Sequence, residues 1–298
     1  MKKMLQPIGT IGTIPVDLPI LQFGSGTPRV LITAVQHGGE LSPLWIIKQL
    51  IAQQEKIQGT ITIIPVANPF GIIQGTRNEP IEGANLNRAF PGKPTGDFTS
   101  RLATVIMNIA LKQDFVIDLH TFSRQSPFLV GFAADASGVP TPAVQKIIAL
   151  LQPDLVWKVN EKKGEDRRFA GSFDGSLTAA GIPSVFIEMP NYQMISPALI
   201  DRITQSIITT GNGFLNTTVT LSTMPMLTAQ YLYADTAGLF APTINLLDTV
   251  TAGQTIATVT SVTDFTETQI KTPVAGVVMT IKGNDLVRTG SKIASIGI

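Results

Sequence analysis

The chain has 298 residues, 44% hydrophobic and only 14% charged, with a formal net charge of +1. That balance supports a large buried core and excludes an extended disordered chain. No lysine- or arginine-rich block marks a footprint for nucleic acid or an anionic membrane, and the absence of cysteine excludes disulfides, thiolate nucleophiles and cysteine-ligated metals together.

The length predicts about two domains. Met-Lys-Lys-Met-Leu-Gln-Pro-Ile-Gly-Thr opens the chain without an apolar stretch of signal-peptide length behind the lysines. No apolar run reaches bilayer length, so a soluble, cytoplasmic protein is expected. Residues 29–35 (RVLITAV) read as a buried strand, and 42–54 (SPLWIIKQLIAQQ) as a helix with Ser42 at its N-cap and Pro43 at its first position. Residues 60–66 (TITIIPV) form a second expected strand. A helix follows over 97–112 behind Asp97, then a strand over 114–119 (DFVIDL). A helix over 141–151, a strand over 183–188 (PSVFIE) and a helix around 196–210 complete the run. Strands alternating with helices predict a mainly parallel sheet flanked on both faces.

Near residue 218 the chain turns rich in Thr, Val, Ile and Gly, and it repeats itself. VTAGQTIATV at 250–259 and VRTGSKIASI at 287–296 share V-x-x-G-x-x-I-A-x-(V/I), and an Ala-Gly pair precedes each, at 237–238 and 275–276. Two copies predict a small all-β barrel or sandwich made of related halves. The boundary is expected within 215–222, giving domains 1–217 and 218–298.

The two histidines of the chain, His37 and His120, both fall at strand ends. His37 and Glu40 (HGGE) follow the first α/β strand, His120 ends DFVIDLH, and Glu188 ends VFIE. Ligands of open α/β sheets bind beyond the carboxyl ends of strands. H-x-x-E supplies a nitrogen and an oxygen ligand from one loop, and a second histidine from another strand completes the three-ligand set of a catalytic zinc. Such a site also needs a carboxylate that moves the proton from water to the leaving amine, and Glu188 is the candidate. Asp118, two residues before His120, is expected to point to the other face of the strand or into the loop, and is the weaker choice. Residues 68–92 (NPFGIIQGTRNEPIEGANLNRAFPG) form a polar loop with Arg77, Asn85, Asn87 and Arg88, suited to carboxylate recognition or oxyanion stabilisation.

HGGE, then NP…R…NLNRAFPG, then DLH, then IE, in that order, resembles the succinylglutamate desuccinylase/aspartoacylase family, a relative of the zinc carboxypeptidases. The resemblance covers nearly the whole chain, because that family also appends a small β domain. It implies one zinc per chain, bound by His37, Glu40 and His120. It implies that Glu188 is general base and acid, that Arg77 stabilises the carbonyl oxygen in the transition state, and that Asn87 and Arg88 hold the substrate's α-carboxylate. The family usually carries Asp-Leu-Asn-Arg, where this chain has Asn85-Leu86-Asn87-Arg88. The fold it implies is α/β: a zinc-carboxypeptidase-like mixed, mainly parallel sheet with flanking helices, followed by the C-terminal all-β barrel-sandwich.

Plainer readings exist for each residue. A histidine beside glycines is by itself a turn residue, Glu188 could be half of a buried ion pair, and Arg77 and Arg88 could be surface charges. Arg167 and Arg168, in the run EKKGEDRR, are expected in a solvated loop; the alternative for one of them is contact with a second substrate carboxylate. Tyr231 and Tyr233 are expected to pack between domains. TPVAGVV at 272–278 resembles a lipoyl/biotinyl-type barrel-sandwich, but the stretch where a carrier presents its lysine is TSVTDFTETQ, and Lys271 falls too late for the tip. A swinging-arm carrier is therefore excluded. The expected activity is zinc-dependent cleavage of an N-acyl amino acid or similar small amide. Two alternatives are a metallocarboxypeptidase acting on peptides and a non-catalytic metal- or ligand-binding protein. The expected partner is a small molecule, with no nucleic acid or membrane; a homo-oligomer stays open.

Overall fold

The computed structural model describes residues 1–122, 125–162, 164–219 and 224–298. β1 (Lys2–Ile11) and β2 (Ile14–Ser25) form a long antiparallel hairpin. There follow β3 (Arg29–Ala34), α1 (Ser42–Ala52), β4 (Gly59–Ile64), α2 (Pro69–Gln74), α3 (Phe98–Ala110), β5 (Phe115–Phe122) and β6 (Leu129–Ala133). Next come α4 (Pro142–Leu151), β7 (Leu155–Val159), α5 (Phe173–Ala179), β8 (Ser184–Pro190), α6 (Pro197–Gly213) and β9 (Met226–Leu227). The nine strands form one sheet in the order β1-β2-β4-β3-β5-β8-β6-β7-β9. The pairs β3–β4, β3–β5, β5–β8, β6–β7 and β7–β9 are parallel, and β1–β2, β2–β4 and β6–β8 antiparallel, so the sheet is mixed and mainly parallel.

Strand alternation sends the apolar side chains to two cores. Val30 and Ile32 of β3, Phe115, Ile117 and Leu119 of β5, and Val185 and Ile187 of β8 pack with α1, α4 and α6 on one face. Leu31 and Val116 pack with α3 and α5 on the other. Side-chain caps start most of the helices. The Ser100 amide donates to Asp97 Oδ1 at 2.8 Å, and Thr141 and Ser196 accept in the same way from Val144 and Leu199. α1 departs from expectation. Leu41 is its N-cap, and Ser42 lies inside the helix, because the Ser42 hydroxyl donates instead to the Pro190 carbonyl at 2.7 Å, tying the helix to the end of β8.

The hairpin β1–β2, the strands β6 and β7 and the helices α2 and α5 have no counterpart among the elements expected from sequence. Pro7, Pro15, Pro19 and Gly9 interrupt the alternation of the hairpin, and a register shift between Pro7 and Gly9 absorbs the break.

The remaining strands are β10 (Ala229–Tyr233), β11 (Gly238–Pro242), β12 (Thr249–Val250), β13 (Thr255–Thr260), β14 (Glu267–Lys271), β15 (Gly276–Ile281), β16 (Asp285–Val287) and β17 (Lys292–Gly297). They build two four-stranded antiparallel sheets, β10-β17-β15-β12 and β14-β13-β11-β16, around a common apolar core. The two sequence repeats interlock: β12 of the first pairs with β15 of the second, and β16 of the second pairs with β11 of the first. Close backbone approach explains the Ala-Gly pairs, since a Cβ at Gly238 would lie 2.3 Å from the Thr260 carbonyl oxygen, and one at Gly276 2.2 Å from that of Gly297. The chain joins these sheets only after β9, and the expected boundary zone 215–222 runs into residues 220–223, which lie outside the described residues. Among the described residues no helix is long and apolar enough to cross a membrane.

Candidate active site

The alternation that fills the two cores also sets the polar residues. In β5 the odd positions 115, 117 and 119 enter the first core, so Asp118 and His120 share the opposite face with Val116. In β8 positions 185, 187 and 189 do the same, which leaves Glu188 on that face as well. His120 and Glu188 are register partners in the parallel β5–β8 pair. In β3 the same face carries Thr33. The chain then turns sharply at Val35, a buried β-branched residue at φ 56°, and this strained turn brings in the loop of His37 and Glu40. Gly38 lets the loop pass against α2: a Cβ there would lie 1.9 Å from the Gly71 carbonyl oxygen.

His37, Glu40 and His120 are all buried, and one ligand atom from each can be chosen so that all lie within 4.8 Å of one another. His37 Nδ1 is 2.8 Å from Glu40 Oε1, and His120 Nδ1 is 2.9 Å from Glu40 Oε2. Both Nδ1 atoms therefore face the same carboxylate. Each Nε2 faces outward to an acceptor: Asn85 Oδ1 at 3.2 Å for His37, Asp118 Oδ2 at 2.7 Å for His120. Asp118 is fixed in turn by donation from Thr33 Oγ1 and Gln36 Nε2, each at 2.5 Å. Outer acceptors of this kind hold metal-binding histidines with the inner nitrogen unprotonated. The donor set thus fits a divalent metal such as zinc, and also accepts other divalent ions.

The same geometry corrects the expectation for Asp118. A strand's side chains repeat every second residue, so Asp118 cannot face away from His120; it buttresses it. Asn85 holds His37 by accepting, since its carbonyl oxygen lies 3.2 Å from His37 Nε2 and takes the Asn87 amide at 3.0 Å.

The electrostatics follow from burial and neighbours. Burial opposes charge on His120, but Asp118 and then Glu40 outweigh it and hold the ring well above its usual value. Burial lowers His37. Burial alone would raise Glu40, yet the two histidines bring it down to about 2. Burial pushes Glu188 up to about 8, and its Oε2 has no hydrogen-bond partner.

These residues open into a cavity of about 720 Å³ that is also lined by Arg77, Asn85, Asn87, Arg88 and Glu188. All the residues singled out in sequence for metal, catalysis and substrate thus meet at one place. Arg77 is the exposed member, with 60% of its side chain accessible and Nη1 3.9 Å from Glu40 Oε1. Asn87 accepts from the Phe173 amide at 2.8 Å, and its Nδ2 lies 3.4 Å from His120 Nε2. Arg88 donates to the carbonyls of Arg168 and Asn87 and lies over the Phe169 ring. Burial, and then Arg77, lower it to about 10, so it stays charged at neutral pH.

Arg168 keeps the exposure expected of it, in a 3-10 turn over Gly164–Phe169 that has no buried residue, but it also reaches the cavity. Its guanidinium lies 3.7 Å from the centroid of Tyr231 and 4.9 Å from that of Phe169, and it lines the cavity. Tyr231 is buried against Leu129, Trp157, Phe186 and Met279, where the nine-stranded sheet meets the C-terminal sheets. Glu161, Asp174, Lys292, Trp157 and Phe169 also line the cavity; Lys292 lies in the second sequence repeat and Glu161 opens the charged run EKKGEDRR, but neither pattern points to a ligand. Trp157 sits in the short apolar strand β7, Glu161 and Phe169 in the turns that follow it, and Asp174 in Ser-Phe-Asp-Gly looks like an ordinary first-turn acid.

Residues 26–210 match the model of the family described as succinylglutamate desuccinylase/aspartoacylase catalytic domain. Over 126 residues the chain is 32% identical to the N-alpha-acetyl-L-2,4-diaminobutyric acid deacetylase of Halomonas elongata. That alignment covers 41% of this chain and 36% of the relative, so the match spans about a third of the relative's length. Among solved structures, an aspartoacylase family protein from Mesorhizobium loti superposes with TM-score 0.79 at 21% identity, covering 100% of this chain and 95% of that one. The product-bound ectoine utilization protein EutE (DoeB) from Ruegeria pomeroyi superposes with TM-score 0.78 at 22% identity, covering 96% and 90%. At these identities the structures establish a shared fold.

Proposed function

The chain belongs to the succinylglutamate desuccinylase/aspartoacylase catalytic-domain family, and from that premise we propose that it is a zinc-dependent hydrolase removing the acyl group from an N-acyl amino acid or a similar small amide. The observation that carries this reading is the buried His37–Glu40–His120 group with Glu188 in register beside it, at the wall of one cavity. The relative named as a deacetylase of an N-acetylated diamino acid supports the same class. The proposed division of the chain is 1–217 for the catalytic part and 218–298 for a β domain that closes the cavity's far side.

His37, Glu40 and His120 would hold one zinc through Nδ1, a carboxylate oxygen and Nδ1. When bound there, zinc supplies a Lewis acid and makes water a stronger nucleophile at neutral pH. Glu188 accepts the proton of the attacking water, through a carboxylate whose Oε2 has no hydrogen-bond partner, and returns it to the leaving amine. Arg77, free to swing from its exposed position, directs its guanidinium to the oxygen that gains charge. Arg88 and Asn87 orient the α-carboxylate. The Arg88 guanidinium is already fixed by two backbone carbonyls, so little side-chain freedom is lost on binding. A cavity of about 720 Å³ is in the range of small-molecule sites, which favours this reading over a carboxypeptidase acting on long peptides.

The test is metal analysis of the purified protein and of His120→Ala, followed by a screen of N-acyl amino acids against short peptides. About one zinc per chain, lost in the variant, with acyl release from small substrates, is the expected result. Absence of metal after reconstitution would overturn the zinc reading, and preferential release of C-terminal residues from peptides would replace deacylase with carboxypeptidase.

A further inference from the structure

We propose that the aromatic side of the active-site cavity receives the side chain of the released amino acid, so that the preferred substrate is an N-acyl derivative of an aromatic amino acid. The inference deepens the deacylase reading and rests on it, and on Arg88 as the holder of the α-carboxylate.

The rings of Phe122, Trp157, Phe169 and Phe186 line the cavity beside the candidate metal centre. Strand alternation sets two of them next to the reacting groups. Phe122 follows His120 by two residues on β5, and Phe186 precedes Glu188 by two on β8. Trp157, Gly131 and Phe186 are register partners across β7, β6 and β8. Residue 131 has to be glycine, because the Phe186 ring lies over it and a Cβ there would be 1.9 Å from Phe186 Cζ. That gap lets Phe186 meet Trp157 edge-on, with centroids 5.4 Å apart and planes at 87°. Phe122 and Phe169 stand 6.1 and 5.6 Å from the same indole.

Phe169 decides which end of the substrate meets this wall. The Arg88 guanidinium lies over its ring, 5.1 Å from the centroid. An amino acid's side chain leaves the same carbon as its α-carboxylate. A carboxylate held by Arg88 therefore sets the side chain beside Phe169 and Trp157, while the acyl carbonyl stays with the metal group and Glu188. The charged groups of the same lining have contacts of their own. The Ser172 hydroxyl donates to Glu161, which also feels the charge of Arg88. Arg168 lies 3.8 Å from Glu165, and the Lys292 ammonium lies over the Tyr231 ring. A cavity of about 720 Å³ is in the range that buries drug-sized ligands, which leaves room for a ring beyond the acyl group and the carboxylate. A phenyl ring gains apolar burial and edge-to-face contacts there, whereas a charged side chain gives up hydration against the rings.

The experiment is calorimetric titration of the zinc-loaded protein with phenylalanine, alanine and glutamate. Hydrolysis of N-acetylphenylalanine is compared with that of its isomer N-(3-phenylpropanoyl)glycine, which carries the ring on the acyl side. Wild type should bind phenylalanine about tenfold or more tightly than alanine, and more tightly than glutamate. It should also cleave N-acetylphenylalanine faster than the isomer. Trp157→Ala and Phe169→Ala should each bring the phenylalanine-to-alanine ratio toward one, and Trp157→Phe should keep most of it. Two sites are changed because loss of the buried Trp157 also affects folding, which melting curves report, while Phe169 is half-buried in a turn. A ratio near one in wild type, tighter binding of glutamate, or a preference kept in both folded alanine variants overturns the pocket. Faster cleavage of the isomer overturns its assignment to the amino-acid side. If the binding preference stands and neither amide is hydrolysed, the deacylase reading falls and the pocket stands as a site for aromatic amino acids.

Discussion

The groups of the candidate metal centre and its base come from the carboxyl ends of three parallel strands, β3, β5 and β8, and the loop after the first. The C-terminal sheets, though they hold a core of their own, place only Lys292 among the described residues lining the cavity. The contrast has a simple origin. Adjacent parallel strands in register bring same-face positions of distant segments side by side, as His120 and Glu188 show, and their ends stay open to a ligand. The interlocked antiparallel halves of the C-terminal region turn their alternating faces inward on each other. What remains outside can serve as a wall, through Lys292 stacked on the buried Tyr231 ring behind it, but among the described residues supplies no ligand set.

The sharpest way to break this division is at the sheet. Glu188→Gln should lower the turnover rate by about 10²–10⁴-fold while metal content stays unchanged; a loss below tenfold would place the base elsewhere, the C-terminal wall included. A comparable energetic loss should come from the other region by a different route. Phe240 is 1% exposed in the C-terminal core, and Phe240→Ala should cost about 3–5 kcal/mol of stability. If residues 218–298 form a domain of their own, calorimetry will show that loss in one transition only; a single shifted transition would join the two regions into one unit.

Smaller effects refine the picture of the candidate metal centre. Asp118→Ala and Asn85→Ala remove the outer acceptors of the two histidines, and each should weaken zinc binding by about 10–100-fold in chelator competition. The loss should be larger for Asp118, which is charged and locked by Thr33 and Gln36. The smallest effect belongs to the scaffold. Asp97 caps α3, and Asp97→Ala should cost about 1 kcal/mol at neutral pH. The bond from the Ser100 amide depresses the Asp97 carboxyl below its unfolded value. Its contribution is therefore fully present above the unfolded value near 3.8 and fades as pH falls through the folded one. Urea titrations of both proteins should accordingly converge under acid conditions; a difference that persists there would assign the loss to packing instead of the cap.

Much of the sheet's centre was legible in advance because its strands are long β-branched runs bounded by capped helices. β3, β4, β5 and β8 lie within a few residues of where composition predicts them, as do α3, α4 and α6. The first hairpin was not legible, since Pro7, Pro15 and Pro19 mask a pairing that only the neighbouring strand β4 completes. β6 and β7 are five residues each, too short for a period to separate strand from helix. At α1 the capping rule named Ser42, but a contact 148 residues away took the hydroxyl.

For the site, the sequence alone determined the candidate ligands, because histidine occurs only twice and both copies end strands of an α/β pattern. It also carried the family resemblance through HGGE, NLNR, DLH and IE. The tertiary structure decided what surrounds them. It set Asp118 behind His120, laid the exposed Arg168 over the Tyr231 ring, and assembled Glu161, Asp174 and Lys292 from separate segments into one wall. Local pattern fixes which residue types stand at which strand ends, since periodicity and capping act within a few residues. The company a side chain keeps depends on strand order and register, which are settled only when distant segments pack.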